Sequence, residues 1–219
     1  MKQGFAGSAS SGGAKLLLSS LAALLLLLLY TLLFASQFSW WLGIAYMASL
    51  LAAFLGWAKL AEPKYSLELD EQGVRYCHRA GSCHLDFSAF AYCAVPELDG
   101  KPLAFIGFKI TDFDALLQQL PLRLAVRMMT EQRPLYLEAI RQSCASGQCA
   151  TELLKEKDFF NSGKQRYDGV RAAFAQRMQR LAEACGFEFM VPVNVPAEVA
   201  QQWCQEINKL RLASLQTGN

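Results

Sequence analysis

Residues 16 to 58 read LLLSSLAALLLLLLYTLLFASQFSWWLGIAYMASLLAAFLGWA, and these 43 positions carry no charged side chain. One membrane-crossing helix needs ~20 apolar residues, so the run is long enough for two. The polar break Ser36-Gln37-Phe38-Ser39 divides it. The first span reads from Leu16 to Ala35 and the second from Trp40 to Lys59, with so short a connection that the two must form a tight antiparallel hairpin. Trp40 and Trp41 stand at one end of the second span and Trp57 near the other, where amphipathic rings favour the headgroup layer. Lys15 and Lys59 bracket the pair as further interface anchors. Lys2 and Lys15 precede the first span, Lys59 and Lys64 follow the second, and the connecting turn has no charge. The positive-inside tendency therefore expects both ends of the hairpin in the cytoplasm. A cleaved signal peptide is the rival reading. The apolar stretch is longer than a signal core, and Leu33-Phe34-Ala35 is a poor cleavage site. Gly43 and Gly56 are too far apart for a small-residue helix-packing motif.

Outward from this run the composition changes. All 19 acidic residues of the 219-residue chain lie at or after Glu62, and only Lys2 and Lys15 carry side-chain charge before Lys59. The net charge of +2 is therefore that of the N-terminal lysines, and the remainder is balanced. A hydrophobic fraction of 53% excludes an intrinsically disordered chain. The near-zero balance excludes a dedicated nucleic-acid binder. Seven cysteines are too few for a disulfide scaffold, and an odd number suits a reducing compartment. Residues 1–15, with the run Gly-Ser-Ala-Ser-Ser-Gly-Gly, read as a flexible tail. Gly7 and Gly12 have the spacing of part of a phosphate loop, but neither the following Lys-Ser/Thr nor a preceding strand is there.

After Pro63 the period becomes two. Tyr65, Leu67 and Leu69 alternate with Ser66 and Glu68, as in a half-buried strand. Further strands are expected over 74–79, 83–87, 90–95 and 103–110, separated by Asp70-Glu71-Gln72-Gly73, Ala80-Gly81-Ser82 and Leu98-Asp99-Gly100-Lys101-Pro102. Such short strands and turns imply an antiparallel meander of about five strands. Helical spacing follows. Thr111 or Asp112 caps a helix towards Leu120, and another runs over 122–143 with a kink or restart at Pro134. A short helix is expected over 151–158. Asp168 is placed to cap a helix ending at Cys185 before Gly186, with Val170, Phe174, Met178, Leu181 and Cys185 as its apolar stripe. A short strand over 187–191 precedes a last helix from Pro196, with Val199, Trp203, Ile207 and Leu210 on one face. The class is α+β: a transmembrane hairpin over 16–60, then a cytoplasmic domain over 65–219, β-rich to 110 and mainly helical beyond. Its 155 residues suffice for a core of their own.

The phrases Tyr-Ser-Leu-Glu-Leu-Asp-Glu-Gln-Gly-Val (65–74), His-Leu-Asp-Phe (84–87) and Ile-Gly-Phe-Lys-Ile (106–110) resemble the opening of a bacterial pleckstrin-homology-like domain. The chain as a whole is similar to a bacterial family of two-pass inner-membrane proteins known only as a domain of unknown function. That likeness is carried by Trp-Ala-Lys-Leu-Ala-Glu-Pro (57–63), Tyr-Cys-His-Arg-Ala-Gly (76–81), Glu-Gln-Arg-Pro-Leu (131–135) and Gln-Arg-Met-Gln-Arg-Leu (176–181). It implies an inner-membrane location and brings no catalytic residue with it. A full pleckstrin-type barrel has seven strands before its helix, and the sequence pattern offers five.

Several constellations invite chemistry. Cys77-His78 and Cys83-His84 are zinc-ligand types, but neighbours on a strand point to opposite faces, so a regular hairpin cannot converge them on one ion. Cys144 and Cys149 flank Ala-Ser-Gly-Gln and could form a redox or metal pair; no third or fourth ligand stands nearby, so two free thiols are the plainer reading. Arg171, Arg177 and Arg180 give the 168–185 helix a basic side. Lys164 to Arg180 holds five basic residues against the single acid Asp168. These arginines are the candidate contacts for anionic lipid headgroups, against the plainer reading of a solvated helix face. The first hairpin turn, where pleckstrin-type lipid sites are basic, is here acidic Asp70-Glu71-Gln72. There is no Gly-x-Ser-x-Gly, His-x-x-x-His or Gly-x-Gly-x-x-Gly, and Asp112 and Asp114 read as helix-capping carboxylates. The expectation is a protein that is not an enzyme, with no cofactor, metal or nucleic-acid partner. It would be integral to the lipid bilayer, with a cytoplasmic domain that binds or scaffolds a protein partner. The alternatives are a lipid-sensing module and, less favoured, a membrane-bound enzyme.

Overall fold

The computed structural model describes residues 3–5, 12–34, 39–60, 65–144 and 158–217. It divides into two compact units, Ser8–Lys64 and Met1–Gly7 together with Tyr65–Asn219.

The first unit is a pair of helices, α1 (Gly13–Leu33) and α2 (Trp40–Leu60), each long and apolar enough to cross a membrane. They approach most closely where side chains are smallest. A Cβ on Gly56 would lie 2.7 Å from the backbone nitrogen of Leu17, and one on Gly13 would lie 2.9 Å from Lys59 Cβ. The small-residue contact thus joins Gly56 to α1 near Gly13, rather than to Gly43 on its own helix. At the other end Thr31 Oγ1 and Tyr46 OH share a hydrogen bond of 3.2 Å. The hydroxyls of Ser19, Ser20 and Thr31 bond back to carbonyls one turn earlier, which satisfies them in apolar surroundings. Trp40, Trp41 and Trp57 are all more than 60% exposed, and Lys15 and Lys59 are exposed too. Of the polar break, positions 36–38 lie outside the described residues.

Among the described residues the second unit holds two larger antiparallel sheets and two two-stranded ones. The first has four strands in the order β1 (Gln3–Phe5), β2 (Leu67–Leu69), β3 (Gly73–His78) and β4 (Gly81–Asp86). Its β1 is a departure from the sequence reading, which placed residues 1–15 in a tail. Gln3 pairs with Leu69 and Phe5 with Leu67 across the whole intervening hairpin. The second sheet is built from β5 (Phe90–Ala94), β8 (Phe105–Ile110) and β11 (Phe189–Pro192), with β8 in the centre. Between β5 and β8 a small hairpin of β6 (Glu97–Leu98) and β7 (Lys101–Pro102) turns at Asp99 and Gly100, both with positive φ, as Asp-Gly favours. A last hairpin joins β9 (Phe159–Asn161) to β10 (Arg166–Asp168).

The inner faces of both sheets share one core. Leu67, Leu69, Val74 and Leu85 from the first meet Phe90, Ile106, Phe108 and Phe189 from the second. Tyr76 and Phe189 touch edge to face across the gap, with ring centroids 6.3 Å apart. Helices cover the rest: α3 (Phe113–Gln119), α4 (Leu122–Glu131), α5 (Arg133–Cys144), α6 (Gly169–Cys185) and α7 (Ala197–Thr217). The helix expected over 122–143 is two helices. Gln132 separates them, because its amide bonds to the Met190 carbonyl at 2.7 Å and Pro134 restarts the chain in the next first turn. Of the two expected caps, Thr111 and Asp112, it is Asp112 that caps α3, accepting from the amides of Asp114 and Ala115. Asp168 does not cap α6, since its carboxylate bonds instead to Arg166 at 3.2 Å. Gly186 ends α6 in the left-handed region at φ 82. On α7 the buried row is Ala200, Cys204 and Ile207, while Leu210 of the expected face is 43% exposed. The helix expected over 151–158 falls on residues outside those described, except Asp158.

Candidate functional site

The α6 stripe of Phe174, Met178, Leu181 and Cys185 is buried, and Arg171, Arg177 and Arg180 flank it half-buried. Two of these arginines reach inward across the neighbouring helices. Arg177 Nη1 donates to the Met129 carbonyl at 3.1 Å, and its guanidinium lies 4.9 Å from the centre of the Tyr136 ring. Arg180 Nη1 donates to Tyr136 OH at 2.6 Å. The planar guanidinium thus stacks on or bonds to one tyrosine of α5 twice over, which braces α6 against α4 and α5. Arg171 is the exception: among the described residues its buried Nε meets no acceptor. The sequence named these three as headgroup contacts; the structure gives Arg177 and Arg180 partners within the domain.

Beside this brace is a small cavity whose lining includes Met128, Gln132, Tyr136, Met178, Arg177 and Glu188. Its volume of about 20 Å³ admits roughly one water molecule. Glu188 is buried and fully engaged. Its Oε1 pairs with Lys109 Nζ at 2.6 Å and its Oε2 accepts the Ile110 amide at 2.9 Å, so a charge that would be costly alone is satisfied on both oxygens.

A second cluster gathers at the start of α3. Asp112 accepts two α3 amides and pairs with Lys164 Nζ at 2.8 Å. The lysine, then the amide bond from Ala115, hold its carboxyl below the ordinary value. Asp114, 8% exposed, accepts Ser162 Oγ on both oxygens at 2.8 and 2.9 Å and Tyr167 OH at 2.6 Å. Burial, then the bond to Asp114, push the Tyr167 phenol up. Ser162 and Tyr167 lie on and beside the β9–β10 hairpin, so Asp114 clasps that hairpin to α3. A nucleophilic serine needs a base positioned to take its proton. Here Ser162 donates to a carboxylate that Tyr167 also occupies, and among the described residues neither histidine is bonded to Ser162.

Both histidines lie on the β3–β4 hairpin. The register sets Tyr76 opposite Cys83 and Arg75 opposite His84, so each Cys and its adjacent His face opposite sides of the sheet. His84 bridges two carboxylates, with Nε2 3.2 Å from Asp70 and Nδ1 3.0 Å from Asp86. His78 Nε2 lies 3.5 Å from Glu131. Among the described residues no group of three His, Cys, Asp or Glu is placed to hold a metal ion. Burial pushes the Cys83 thiol up to about 12 and raises those of Cys77 and Cys185. Burial raises Asp70 as well, but the amides of Gln72 and Gly73 and the His84 ring outweigh it, and its carboxyl ends below the ordinary value. Cys149 and the Cys144 side chain lie outside the described residues.

Sequence reasoning missed the residues that close the open edge of the second sheet. The register between β5 and β8 shifts between Phe90 and Cys93. Asn208 of α7 supplies what the edge lacks: its Oδ1 accepts the Cys93 amide at 2.9 Å and its Nδ2 donates to the Cys93 carbonyl at 2.8 Å. One turn on, Arg211 Nε donates to the carbonyls of Phe87 and Phe90 at 3.0 and 2.7 Å. A helix thereby covers an edge that would otherwise invite strand pairing. Asn208 and Arg211 sit in a polar stretch of the last helix, and only the i, i+4, i+7 spacing from Cys204 hints that they face inward.

A family model described as "Protein of unknown function (DUF2982)" matches residues 67–212. No curated protein and no solved structure matches the chain.

Proposed function

The chain belongs to the DUF2982 family of proteins of unknown function, and on that footing we propose that it is a two-pass protein of the bacterial inner membrane whose cytoplasmic domain is a non-catalytic binding or scaffolding module. The two apolar helices, flanked by Lys15 and Lys59 and joined by an uncharged turn, support two passes with both ends in the cytoplasm. The observation that carries the non-catalytic reading is how the polar groups are used. Asp114, Glu188, His84, Arg177 and Arg180 are each bound to groups of the domain itself. The cavity beside the arginine brace has room for about one water.

We also read the domain as a pleckstrin-like arrangement. Four strands, three strands and a closing helix support this, with β6–β7 inserted between the fifth and sixth strands of that scheme and α3 to α6 between the sixth and seventh. The alternative of an anionic-lipid sensor rested on Arg171, Arg177 and Arg180, and the last two now have internal partners, so a protein partner is preferred.

The test is affinity purification of the full chain from cross-linked, detergent-solubilised membranes. The proposal expects one or more proteins to co-purify in stable ratio. Recovery of the chain alone at every cross-linker concentration would count decisively against it.

A further inference from the structure

The hairpin unit, Ser8–Lys64, interrupts the other unit between its first strand and its second. Gln3–Phe5 precedes α1 in the chain, and Leu67–Leu69 follows α2, yet the two pair antiparallel over three residues, and the Ser66 amide donates to the Phe5 carbonyl at 3.1 Å. The groove that receives β1 has a definite chemistry. Gly4 lies under the Tyr65 ring, where a Cβ would sit 2.6 Å from a ring carbon, so the position takes a residue without a side chain. Phe5 is only 7% exposed and stacks on Trp203 of α7 with ring centroids 4.9 Å apart. An extended segment carrying a small residue and then an aromatic is what this site accepts, and strand addition to a sheet edge is a known mode of peptide recognition.

We infer that the outer edge of β2, with Tyr65 and Trp203, is a strand-binding site filled by the chain's own Gln3–Phe5 segment, and that it is completed only when both helices of the hairpin have crossed the membrane. The inference rests on the two-pass reading. A chain with one crossing leaves Gln3–Phe5 and Leu67–Leu69 on opposite sides of the bilayer. An unfilled β2 edge then presents free backbone donors and acceptors beside an exposed Trp203, a surface open to wrong pairing. The strand is therefore a local record of correct insertion, made by residues synthesised before the first span and read by residues synthesised after the second.

Hydrogen exchange on the full chain in membrane vesicles tests this. The Ser66 amide reports β1, and the Cys77 amide, which donates to the Ser66 carbonyl at 2.9 Å, reports the β2–β3 pairing and serves as internal control. In the wild type both are protected. Phe5→Asp is expected to raise exchange at Ser66 at least tenfold and leave Cys77 protected. The milder Phe5→Ser is expected to do the same in smaller measure, and it keeps the test readable where the aspartate unfolds the domain. Unprotected Ser66 in the wild type, or unchanged Ser66 protection in both variants, would overturn the strand-binding site. The two-pass reading fails separately, if the chain ends are found on opposite sides of the membrane.

Discussion

Asn208 shows how much one side chain in an ordinary-looking helix can hold. Its amide satisfies both backbone groups of Cys93, and an unsatisfied buried backbone group costs about 1–3 kcal/mol. Asn208→Ala should therefore lower the unfolding free energy by about that amount, read from the shift of the denaturant midpoint. Asn208→Asp should also destabilise, because it keeps the acceptor for the Cys93 amide and loses the donor for its carbonyl. Asp70 and Asp112 make stability depend on acidity. Both carboxyls are held below their unfolded value of 3.8, so their contribution is fully present above that pH and is lost as pH falls through the lower folded values. Denaturation midpoints measured between pH 5 and pH 2 should fall, and Asp112→Asn should flatten that fall. Burial of Cys83, with its thiol raised to about 12, predicts very slow alkylation at pH 8 until denaturant is added. At this scale the α3 cap was legible to within one residue, Thr111 or Asp112, because a short oxygen-bearing side chain just ahead of a helical apolar pattern has a local job. Asp168 obeyed the same rule and failed it, since Arg166 two residues earlier took its carboxylate. Arg177 and Arg180 look like a solvated basic face in sequence; only the arrival of Tyr136, more than 40 positions away, turns them inward.

At the scale of elements, period and punctuation located most of the chain. The four strands from 67 to 94, the strand at 105–110 and helices α3, α6 and α7 lie where alternation, the Thr111/Asp112 cap signal, Gly186 and Pro196 place them. The short hairpins β6–β7 and β9–β10 escaped, because two or three residues are too few to show a period. The break between α4 and α5 was half legible: Pro134 marks it, but the Gln132 bond to Met190 that fixes it comes from a distant strand. The hairpin helices were plain from their lack of charge, yet their contact was not. Gly13 lay outside the apolar run and was assigned to a tail, which hid its place opposite α2 beside Gly56. Gly56→Val places a side chain within 2.7–2.9 Å of Leu17 backbone atoms, which cannot move aside as a flexible side-chain end can. Overpacking of this kind costs about 1–3 kcal/mol. The variant should lower the thermal midpoint in detergent, and Gly43→Val, with nothing within 4 Å of its Cβ, should not.

At the scale of the whole molecule, two helices long and apolar enough to cross a membrane lie in the chain between the first and second strands of one sheet, rather than ahead of the domain. This could not be read from the sequence. Gln3, Gly4 and Phe5 carry no strand signature, and their partners Leu67–Leu69 stand some sixty residues on, across the most apolar stretch of the chain. The consequence for the proposed two-pass topology is that residues paired in one sheet share one side of the bilayer, so the number of crossings between them is even. That agrees with the lysine pattern from independent grounds. The most direct test is the sidedness of the two ends in the same molecule, read with reporters fused at Met1 and Asn219 in intact cells. The account predicts that both report the cytoplasm. Reporters on opposite sides of the membrane would contradict it.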